Sequence, residues 1–363
     1  MPEGSNENTI QAIGSNEKCE NCGGNVTYDP KSGHLKCPNC DSEFSFTKNQ
    51  TQVKHEIKDG KISSNHDEWA KETKIVKCQT CGAEILLTGL EMSHTCPYCG
   101  SDYVVDTDIL PGNKPDVVVP FSYNQKDAGE VFLKGIKKKF FAPKALKKKL
   151  PDSKIRGIYV PAFTFDADTV TKYNGLLQED RSYTDSKGNR HVRIVNIPIS
   201  GIKECEHRDY VVESSTKLNG KQMNALLPYN FSNSYAFDPN FVRGFNVEHY
   251  ADSLDKCYNA AQKGMEERIK QIILSSYNYD RVVSFSMSTN YSNEFYSYRM
   301  LPVYTLEFNF KNKQYLVYMN GQTGKIGTGY PKDSLKIFLT VLFIILGIAA
   351  VILLVYFYVF YNK

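Results

Sequence analysis

The longest run of apolar residues lies at the C-terminal end of the sequence. From Ile337 to Tyr361 it contains 25 residues without a charge. As a helix this run would extend about 37 Å, against about 30 Å for the hydrocarbon core of a bilayer. Tyrosine and phenylalanine gather at its far end, as in the aromatic belt of a membrane-spanning helix. The pattern predicts one transmembrane helix over 337–361.

The flanks of this run predict its orientation. Lys332 and Lys336 precede the run, and only Asn362 and Lys363 follow it. Little has to cross the bilayer if the larger part stays in the cytoplasm. The N-terminal residues lack the apolar core of a secretory signal. We therefore expect a tail-anchored, single-pass protein of the cell membrane, with residues 1–335 in the cytoplasm.

Helical periodicity is present in two further stretches. In the first stretch, four apolar residues at intervals of four would share one face of a helix. They are Ala128, Phe132, Ile136 and Phe140. Pro143 suits the first turn of a short helix after it, with Leu146 and Leu150 on one face. A longer helix is predicted with Asp252 as its N-cap and an apolar face of Leu254, Cys257, Tyr258, Ala261, Met265, Ile269 and Ile272.

The rest of the region from Val117 to Gly329 shows the pattern of strands. GIYVPAFTFDAD and RHVRIVNIPISG flank the polar turn DSKGN. Further short strands, separated by turn residues, are predicted at RVVSFSMSTNYS, LPVYTLEFNF, KQYLVYM and GKIGTGY. Successive strands with a few packed helices predict an α+β domain with a largely antiparallel sheet.

Eight of the ten cysteines form two quartets with the same spacing. The first is Cys19, Cys22, Cys37 and Cys40, and the second is Cys78, Cys81, Cys96 and Cys99, each 59 residues after its counterpart. Two residues between paired cysteines let a tight turn direct both thiolates at one ion, and the glycines at 23 and 82 permit left-handed backbone there. Each quartet therefore predicts a zinc ribbon with four cysteine ligands, and two Zn²⁺ ions are the expected cofactors.

Disulfides are the main alternative for these cysteines, but they require an oxidising compartment. The predicted cytoplasmic location favours zinc, which would contribute most of the folding free energy of units this small. Cys205 and Cys257 fall outside both quartets. Because Cys257 lies on the predicted apolar helix face, we expect a buried thiol there rather than a nucleophile.

Charge is distributed unevenly along the chain. Residues 1–114 contain 11 lysines and 17 acidic residues, a net charge of −6, so the remainder carries +10 within a total of +4. Affinity for nucleic acid depends on neutralising phosphates with Lys and Arg. Each zinc ion bound by four thiolates adds a further formal charge of −2. The charge therefore favours protein contact or a structural role for the ribbons over binding of nucleic acid.

Nearly all of the positive excess comes from residues 134–156. The basic patch consists of Lys134, Lys137, Lys138, Lys139, Lys144, Lys147, Lys148, Lys149, Lys154 and Arg156, with Asp152 as its one acidic residue. Three interpretations remain open: a solvated helix face, attraction to anionic lipid headgroups, and binding of nucleic acid.

The sequence offers little that indicates catalysis. In NGQTGKIGTGYPK, Ile326 follows Lys325 where a phosphate loop needs Ser or Thr, and neither HExxH nor GxSxG occurs. Asp166 and Asp168 would form a site only if folding brought other groups to them. Enzymatic activity therefore stays open but is not expected, and no small-molecule substrate is indicated.

Several segments together resemble a bacterial family of zinc-ribbon membrane proteins. They are CENCGG, CPNC, CQTCGA, CPYCG, KKKFFAPKALKKK, GIYVPAFTFDADT, LLPYNFSNSYAFDPNFVRGFNVEHY and LVYMNGQTGKIG, followed by a terminal membrane helix. Members are called TFIIB-type zinc ribbon-containing protein, or primosomal protein N′ (replication factor Y), superfamily II helicase. The resemblance covers nearly the whole chain. It implies membrane complexes that recruit envelope-stress and phage-shock components.

The helicase part of that name finds no support in the residues. None of the Gly-Lys pairs at 60, 220 and 324 is followed by Ser or Thr, as the phosphate loop of such a motor requires. The predicted domain, of about 215 residues, is also short for two nucleotide-binding lobes. The name is explained by the cysteine quartets, since the true helicase also carries paired zinc sites.

These observations predict the following organisation: a flexible tail over 1–18, a zinc ribbon over 19–43, a linker over 44–77, a second ribbon over 78–102, an α+β domain over 115–331 and the membrane helix over 337–361. We expect a membrane-anchored scaffold or adaptor that docks other membrane or stress-response proteins at the cytoplasmic face. The alternative is a DNA-associated replication or transcription accessory that uses the basic patch.

Overall fold

The structure is a computed structural model. It describes residues 11–12, 19–24, 26–57, 73–78, 81–88, 93–95, 98, 102–104, 115–148, 155–215, 218–248, 250–311, 313–327 and 329–361. Within these residues it confirms the α+β class with largely antiparallel sheets, a cysteine cluster near the N-terminus and an apolar C-terminal helix. The predicted tail over 1–18 lies outside the described residues except for 11 and 12.

Short strands make up the N-terminal part. They are β1 (Gln11–Ala12), β2 (Thr27–Asp29), β3 (His34–Lys36), β4 (Glu43–Ser45), β5 (His55–Glu56), β6 (Thr73–Lys77), β7 (Glu84–Thr88), β8 (Ser93–Thr95) and β9 (Asp102–Val104). Strands β2, β3 and β4 form an antiparallel meander, and β1 adds to β4 in parallel. This small sheet belongs to the first ribbon.

The body follows. Its elements are β10 (Val117–Val118), α1 (Gln125–Lys137), β11 (Ile155–Thr184), β12 (Arg190–Glu213), α2 (Gly220–Leu226), β13 (Tyr235–Ala236), β14 (Asn246–Glu248), α3 (Leu254–Leu274), β15 (Arg281–Phe310) and β16 (Lys313–Asn320), and the chain ends in α4 (Ser334–Tyr361). In the main sheet β11 pairs antiparallel with β12 and β15, and β15 pairs antiparallel with β16. Shorter strands join this sheet, including β10 and β14 in parallel.

The strands β11 and β15 are each 30 residues long. The prediction of separate short strands at 281–292 and 301–310 is wrong, because one continuous strand contains both. Asn293, at the expected break, adopts a positive φ of 50°. The register shifts nearby, between Asp166 and Asp168 of β11. A bulge therefore absorbs the irregular residue, and the strand continues instead of turning.

Helix α3 packs its apolar face on the long strands. The buried residues are Leu254, Cys257, Ala261, Met265, Ile269, Ile273 and Leu274, so the prediction of a buried Cys257 is confirmed. The N-cap is Ser253, whose hydroxyl accepts from the N–H of Lys256 at 3.4 Å. The prediction of Asp252 as cap is wrong, since Ser214 binds both the N–H and the carbonyl of Asp252, each at 2.9 Å. Residue 252 is thereby tied to the end of β12, outside the helix.

Helix α1 ends earlier than its periodicity predicts. Ala128, Phe132 and Ile136 are buried as expected, but the helix stops at Lys137. Phe140 is 66% exposed, so the prediction that it shares the buried face is wrong. A short 3-10 helix (Ala145–Lys147) buries Leu146 where the second helix is predicted, and Leu150 lies outside the described residues.

Candidate metal centre

The first cysteine quartet converges on one point. The sulfurs of Cys19, Cys22, Cys37 and Cys40 all lie within 4.8 Å of one another. The Cys19–Cys40 and Cys22–Cys37 pairs are each separated by 3.5 Å. Tetrahedral zinc, with Zn–S bonds of about 2.3 Å, requires sulfurs about 3.8 Å apart. The four residues are therefore positioned to bind one metal ion, and their thiolate chemistry suits zinc.

Two tight turns bring the sulfurs together. In the first, the N–H of Gly23 donates to the carbonyl of Cys19 at 2.8 Å, and Gly23 has a φ of 71°. In the second, the N–H of Asp41 donates to the carbonyl of Cys37 at 2.9 Å, with a φ of 59° at Asp41. Each turn needs a left-handed residue, which glycine supplies without strain and aspartate tolerates. The glycine predicted the first turn from sequence, whereas nothing comparable signals the turn at Asp41.

The environment of the quartet favours thiolate at one sulfur. The hydroxyl and the backbone N–H of Ser42 hydrogen-bond to the sulfur of Cys40 and lower the pKa of its thiol to about 6. A lowered thiol pKa favours metal binding, because the thiolate is the ligand. Cys19 and Cys37 are buried, whereas Cys22 and Cys40 are exposed. One side of the cluster faces the core and the other faces solvent.

The first ribbon packs on the body through aromatic side chains. The ring of Tyr28 lies 5.4 Å from that of Phe241, and the ring of Phe46 lies 5.0 Å from it. The N–H of Tyr28 donates to the carbonyl of Arg243 at 3.0 Å. Lys31 forms a salt bridge of 2.9 Å with Asp127 of α1. The ribbon is thereby continuous with the body's hydrophobic core.

Part of the predicted linker also lies on the body. Asn49 accepts at its carbonyl from the N–H of Ala236 at 2.8 Å, and β5 pairs antiparallel with β15. His55 contacts the carboxylate of Asp116 at 2.7 Å. Residues 49–57 therefore follow the surface of the body, and residues 58–72 lie outside the described segments.

The second quartet is described only in its first half. The N–H of Gly82 donates to the carbonyl of Cys78 at 2.7 Å, and Gly82 has a φ of 71°. These values repeat the turn at Cys19, so the first cysteine pair of the second quartet begins with the same turn geometry as that of the first. Cys96 and Cys99 lie outside the described residues.

The second ribbon joins the body through its backbone. Strand β7 pairs antiparallel with β14, with Glu248 opposite Ile85. The hydroxyl of Tyr98 donates to the carboxylate of Glu248, which is fully buried and also accepts from the hydroxyl of Ser215 at 2.7 Å. Nothing in the sequence signals this contact, because Glu248 is 150 residues from Tyr98 along the chain.

The basic patch is spread over three elements. Lys134 and Lys137 lie in α1, and Lys138 and Lys139 follow it directly. Lys144, Lys147 and Lys148 lie in or beside the short 3-10 helix, and Arg156 is in β11. Lys149 and Lys154 lie outside the described residues. The seven described lysines are exposed or half-exposed.

The carboxylates considered as possible catalytic groups have structural partners. Asp166 pairs with Lys54 and accepts from the N–H of Asp209 at 2.7 Å. Asp168 accepts from Asn293 at 2.8 Å and from Arg208 at 2.6 Å, and these contacts lower its pKa. Both therefore belong to ion pairs and hydrogen bonds that join β11 to neighbouring segments of the body.

The C-terminal helix is long and apolar enough to cross a membrane. Its candidate span covers Ser334–Tyr358, and the apolar side chains of this span are exposed. Among the described residues no other helix meets the same criteria.

Comparison with known proteins shows a protein of similar sequence but indicates no activity for the chain. No protein-family model matches the chain, and no solved structure matches it. The chain is similar to the uncharacterized protein YdjG of Bacillus subtilis (strain 168), with 25% identity over 328 residues, covering 87% of this chain and 90% of the relative. The similarity therefore extends over nearly the full length of both proteins.

Proposed function

We propose that this protein is a membrane-anchored zinc-ribbon scaffold that docks protein partners at the cytoplasmic face of the cell membrane. The observation that carries the proposal is the closed geometry of the first quartet. Four cysteine sulfurs within 4.8 Å of one another fill the coordination sphere of one zinc ion. Such a site has no open position for a substrate, so its metal would stabilise a surface instead of performing chemistry.

The exposed rim of the first ribbon is the proposed partner surface. Cys22 and Cys40 lie at the exposed side of the cluster, with Glu20 and Asn21 beside them. This rim belongs to the acidic part of the chain, which makes contact with protein more favourable than contact with nucleic acid. From the resemblance to TFIIB-type zinc-ribbon membrane proteins we expect the partners to include proteins of an envelope-stress response.

We also propose a second zinc ion, bound by Cys78, Cys81, Cys96 and Cys99. The repeated turn geometry at Cys78 supports this, because the same hydrogen bond and the same left-handed glycine direct the sulfurs in the first ribbon. The full chain should then purify with two equivalents of zinc.

The test is co-purification from membranes with the full chain as bait. Cys22→Ser should lose one equivalent of zinc and the partners that depend on the first ribbon, whereas Cys205→Ser, outside both quartets, should retain both. Zinc content and co-purifying proteins are measured on the same samples. Recovery of the same partners by Cys22→Ser after loss of its zinc would remove the support for the scaffold.

A further inference from the structure

Part of the basic patch is tied to the base of the C-terminal helix. The Lys336 ammonium donates to the carbonyls of Phe140 at 3.3 Å and Ala142 at 3.0 Å. The N–H of Asp333 donates to the carbonyl of Phe141 at 2.8 Å. These bonds join segments almost 200 residues apart in sequence. They fix residues 140–142 beside the first turn of α4.

This contact places Phe140 close to the membrane boundary. The uncharged run of α4 begins at Ile337, one residue after Lys336. Because a helix rises about 1.5 Å per residue, Lys336 marks the level at which the apolar part begins. The backbone of Phe140 is hydrogen-bonded to the side chain of that lysine. It therefore lies near the level of lipid headgroups when α4 spans a bilayer.

Phe140 is exposed where the pattern of the sequence would bury it. Its side chain is 66% exposed, although the preceding apolar residues at intervals of four are all buried. Lys137 and Lys138 beside it are exposed, and Lys139 is half-exposed. No salt bridge joins any of these three lysines to a described residue. An exposed aromatic ring among lysines at this level has the composition of an interfacial anchor.

A second segment contributes to the same place. The turn between β15 and β16 brings the ammonium of Lys311 to 3.4 Å from the hydroxyl of Ser334, at the start of α4. The Lys311 ammonium also lies 5.5 Å from the ring centre of Phe310. Another lysine with an aromatic neighbour thus borders the base of the helix.

We propose that Lys137, Lys138, Lys139, Phe140 and Lys311, together called the basal surface, bind the anionic headgroups of phospholipids. The lysines attract the headgroup phosphates and Phe140 enters the interface, so the basal surface holds the body against the bilayer. Lipid headgroups and nucleic acids both carry phosphate groups that lysines attract. The position of the basal surface beside the membrane span favours lipid headgroups as its ligand. A surface that borders the membrane span meets headgroups at high local concentration without any diffusion step.

The inference rests on the membrane anchoring in the proposed function and is independent of its zinc and partner parts. The probe is the full chain reconstituted in vesicles, with Trp69, its one tryptophan, replaced by phenylalanine. Phe140→Trp then reports burial at the interface through quenching by lipids with brominated acyl chains. Tyr183→Trp is the matched control, because Tyr183 is an exposed aromatic residue near the far end of β11.

We expect Phe140→Trp to be quenched at least about twofold more in vesicles with phosphatidylglycerol than in neutral vesicles, and less as salt increases. Tyr183→Trp should stay unquenched in both. Adding Lys137→Gln, Lys138→Gln and Lys139→Gln should abolish the preference for anionic lipid. Replacing Lys187, Arg190 and Arg193 by glutamine removes the same charge from the turn between β11 and β12 and from the start of β12, and it should not abolish the preference.

Separate readouts identify which claim fails. Failure of the full chain to float with vesicles after an alkaline wash would refute the anchoring itself. Flotation with quenching of Phe140→Trp that is the same in neutral and anionic vesicles would overturn the basal surface alone. The proposal would also be overturned if the lysine substitutions left the quenching unchanged but removed salt-sensitive binding of single-stranded DNA. The lysines would then bind nucleic acid instead of lipid. Circular dichroism matching the parent chain establishes that each variant is folded.

Discussion

The two ribbons share one turn geometry but are attached to the body in different ways. In the first, Cys19 precedes a left-handed Gly23, and in the second, Cys78 precedes a left-handed Gly82. The first ribbon meets the body through the rings of Tyr28, Phe46 and Phe241. The second continues the main sheet through β7 and buries Tyr98 against Glu248. The two copies therefore share the turn at their first cysteine pair but contact the body in different ways.

The different attachments indicate that the two cysteine ribbons have different roles. The first ribbon pairs its strands only within its own small sheet, meets the body through aromatic rings and one backbone hydrogen bond, and keeps its rim exposed. An attachment through strand pairing makes the second ribbon part of the sheet. If the proposed second metal is bound, we infer that it would support the body, whereas a metal in the first ribbon would support a surface that a partner can reach.

The largest effect is expected from removing the second metal. Cys78→Ser should unfold the second ribbon, withdraw β7 from β14 and take a hydrogen-bond donor from the buried Glu248. The body should melt on the order of 15 °C lower, and Cys22→Ser should lower the midpoint by about half as much. Thermal unfolding followed by circular dichroism measures both, with zinc content on the same samples.

Both variants should lose one of two equivalents of zinc. Equal falls in the melting midpoint would contradict the distinction between the ribbons. Retention of both equivalents by Cys78→Ser would instead contradict the second metal site.

A smaller effect is expected from detaching the first ribbon without touching its metal. Phe241→Ala removes the ring that Tyr28 and Phe46 contact and should cost about 3 kcal/mol of the free energy of unfolding. Zinc should stay bound, while trypsin should cleave faster at Lys31 and Lys36. Phe308→Ala is the control, because Phe308 is also buried but stacks on Phe310 instead. It should destabilise the body without exposing the ribbon, and equal cleavage in both variants would refute the attachment.

Local signals in the sequence predicted the metal-binding turns and not their attachments. Paired cysteines followed by glycine fix the turns at Cys19 and Cys78 within a few residues, so no distant contact is needed to recognise them. The partner of Tyr98 is distant in sequence, and its burial depends on how β14 joins the sheet. The predicted burial of Phe140 is wrong for the same reason. The spacing of apolar residues carries no information about a contact with Lys336, which is distant in sequence.

The length of β15 is not predicted from the sequence, and the reason is physical. Polar residues around Asn293 have the composition of a turn, yet a bulge accommodates them within β15. Turn composition permits a bend but does not require one when neighbouring strands supply hydrogen bonds on both sides. Short-range sequence patterns determine the presence of strands, the turn at 185–189 and the burial of Cys257. These three features are therefore predicted correctly.

The smallest effect is expected from a single hydroxyl in each ribbon. Tyr98→Phe removes the donor to the buried Glu248 and should cost about 1–2 kcal/mol. Tyr28→Phe makes the same change in the first ribbon, where the ring contacts carry the attachment, and should cost less than about 0.5 kcal/mol. Chemical unfolding of the full chain in detergent measures both. A larger loss for Tyr28→Phe would reverse the comparison.

The pH dependence of stability checks the burial of Tyr98 independently. Burial raises the pKa of its hydroxyl well above the ordinary value of 10.0. Above that pH the unfolded chain loses a proton that the folded chain retains, so the free energy of unfolding falls as pH rises. Below it, this contribution is fully present. Since phenylalanine has no proton to lose, Tyr98→Phe should reduce the slope by about 1.4 kcal/mol per pH unit above pH 10. An unchanged slope would mean that the hydroxyl of Tyr98 is open to solvent and that the second ribbon is not built into the body.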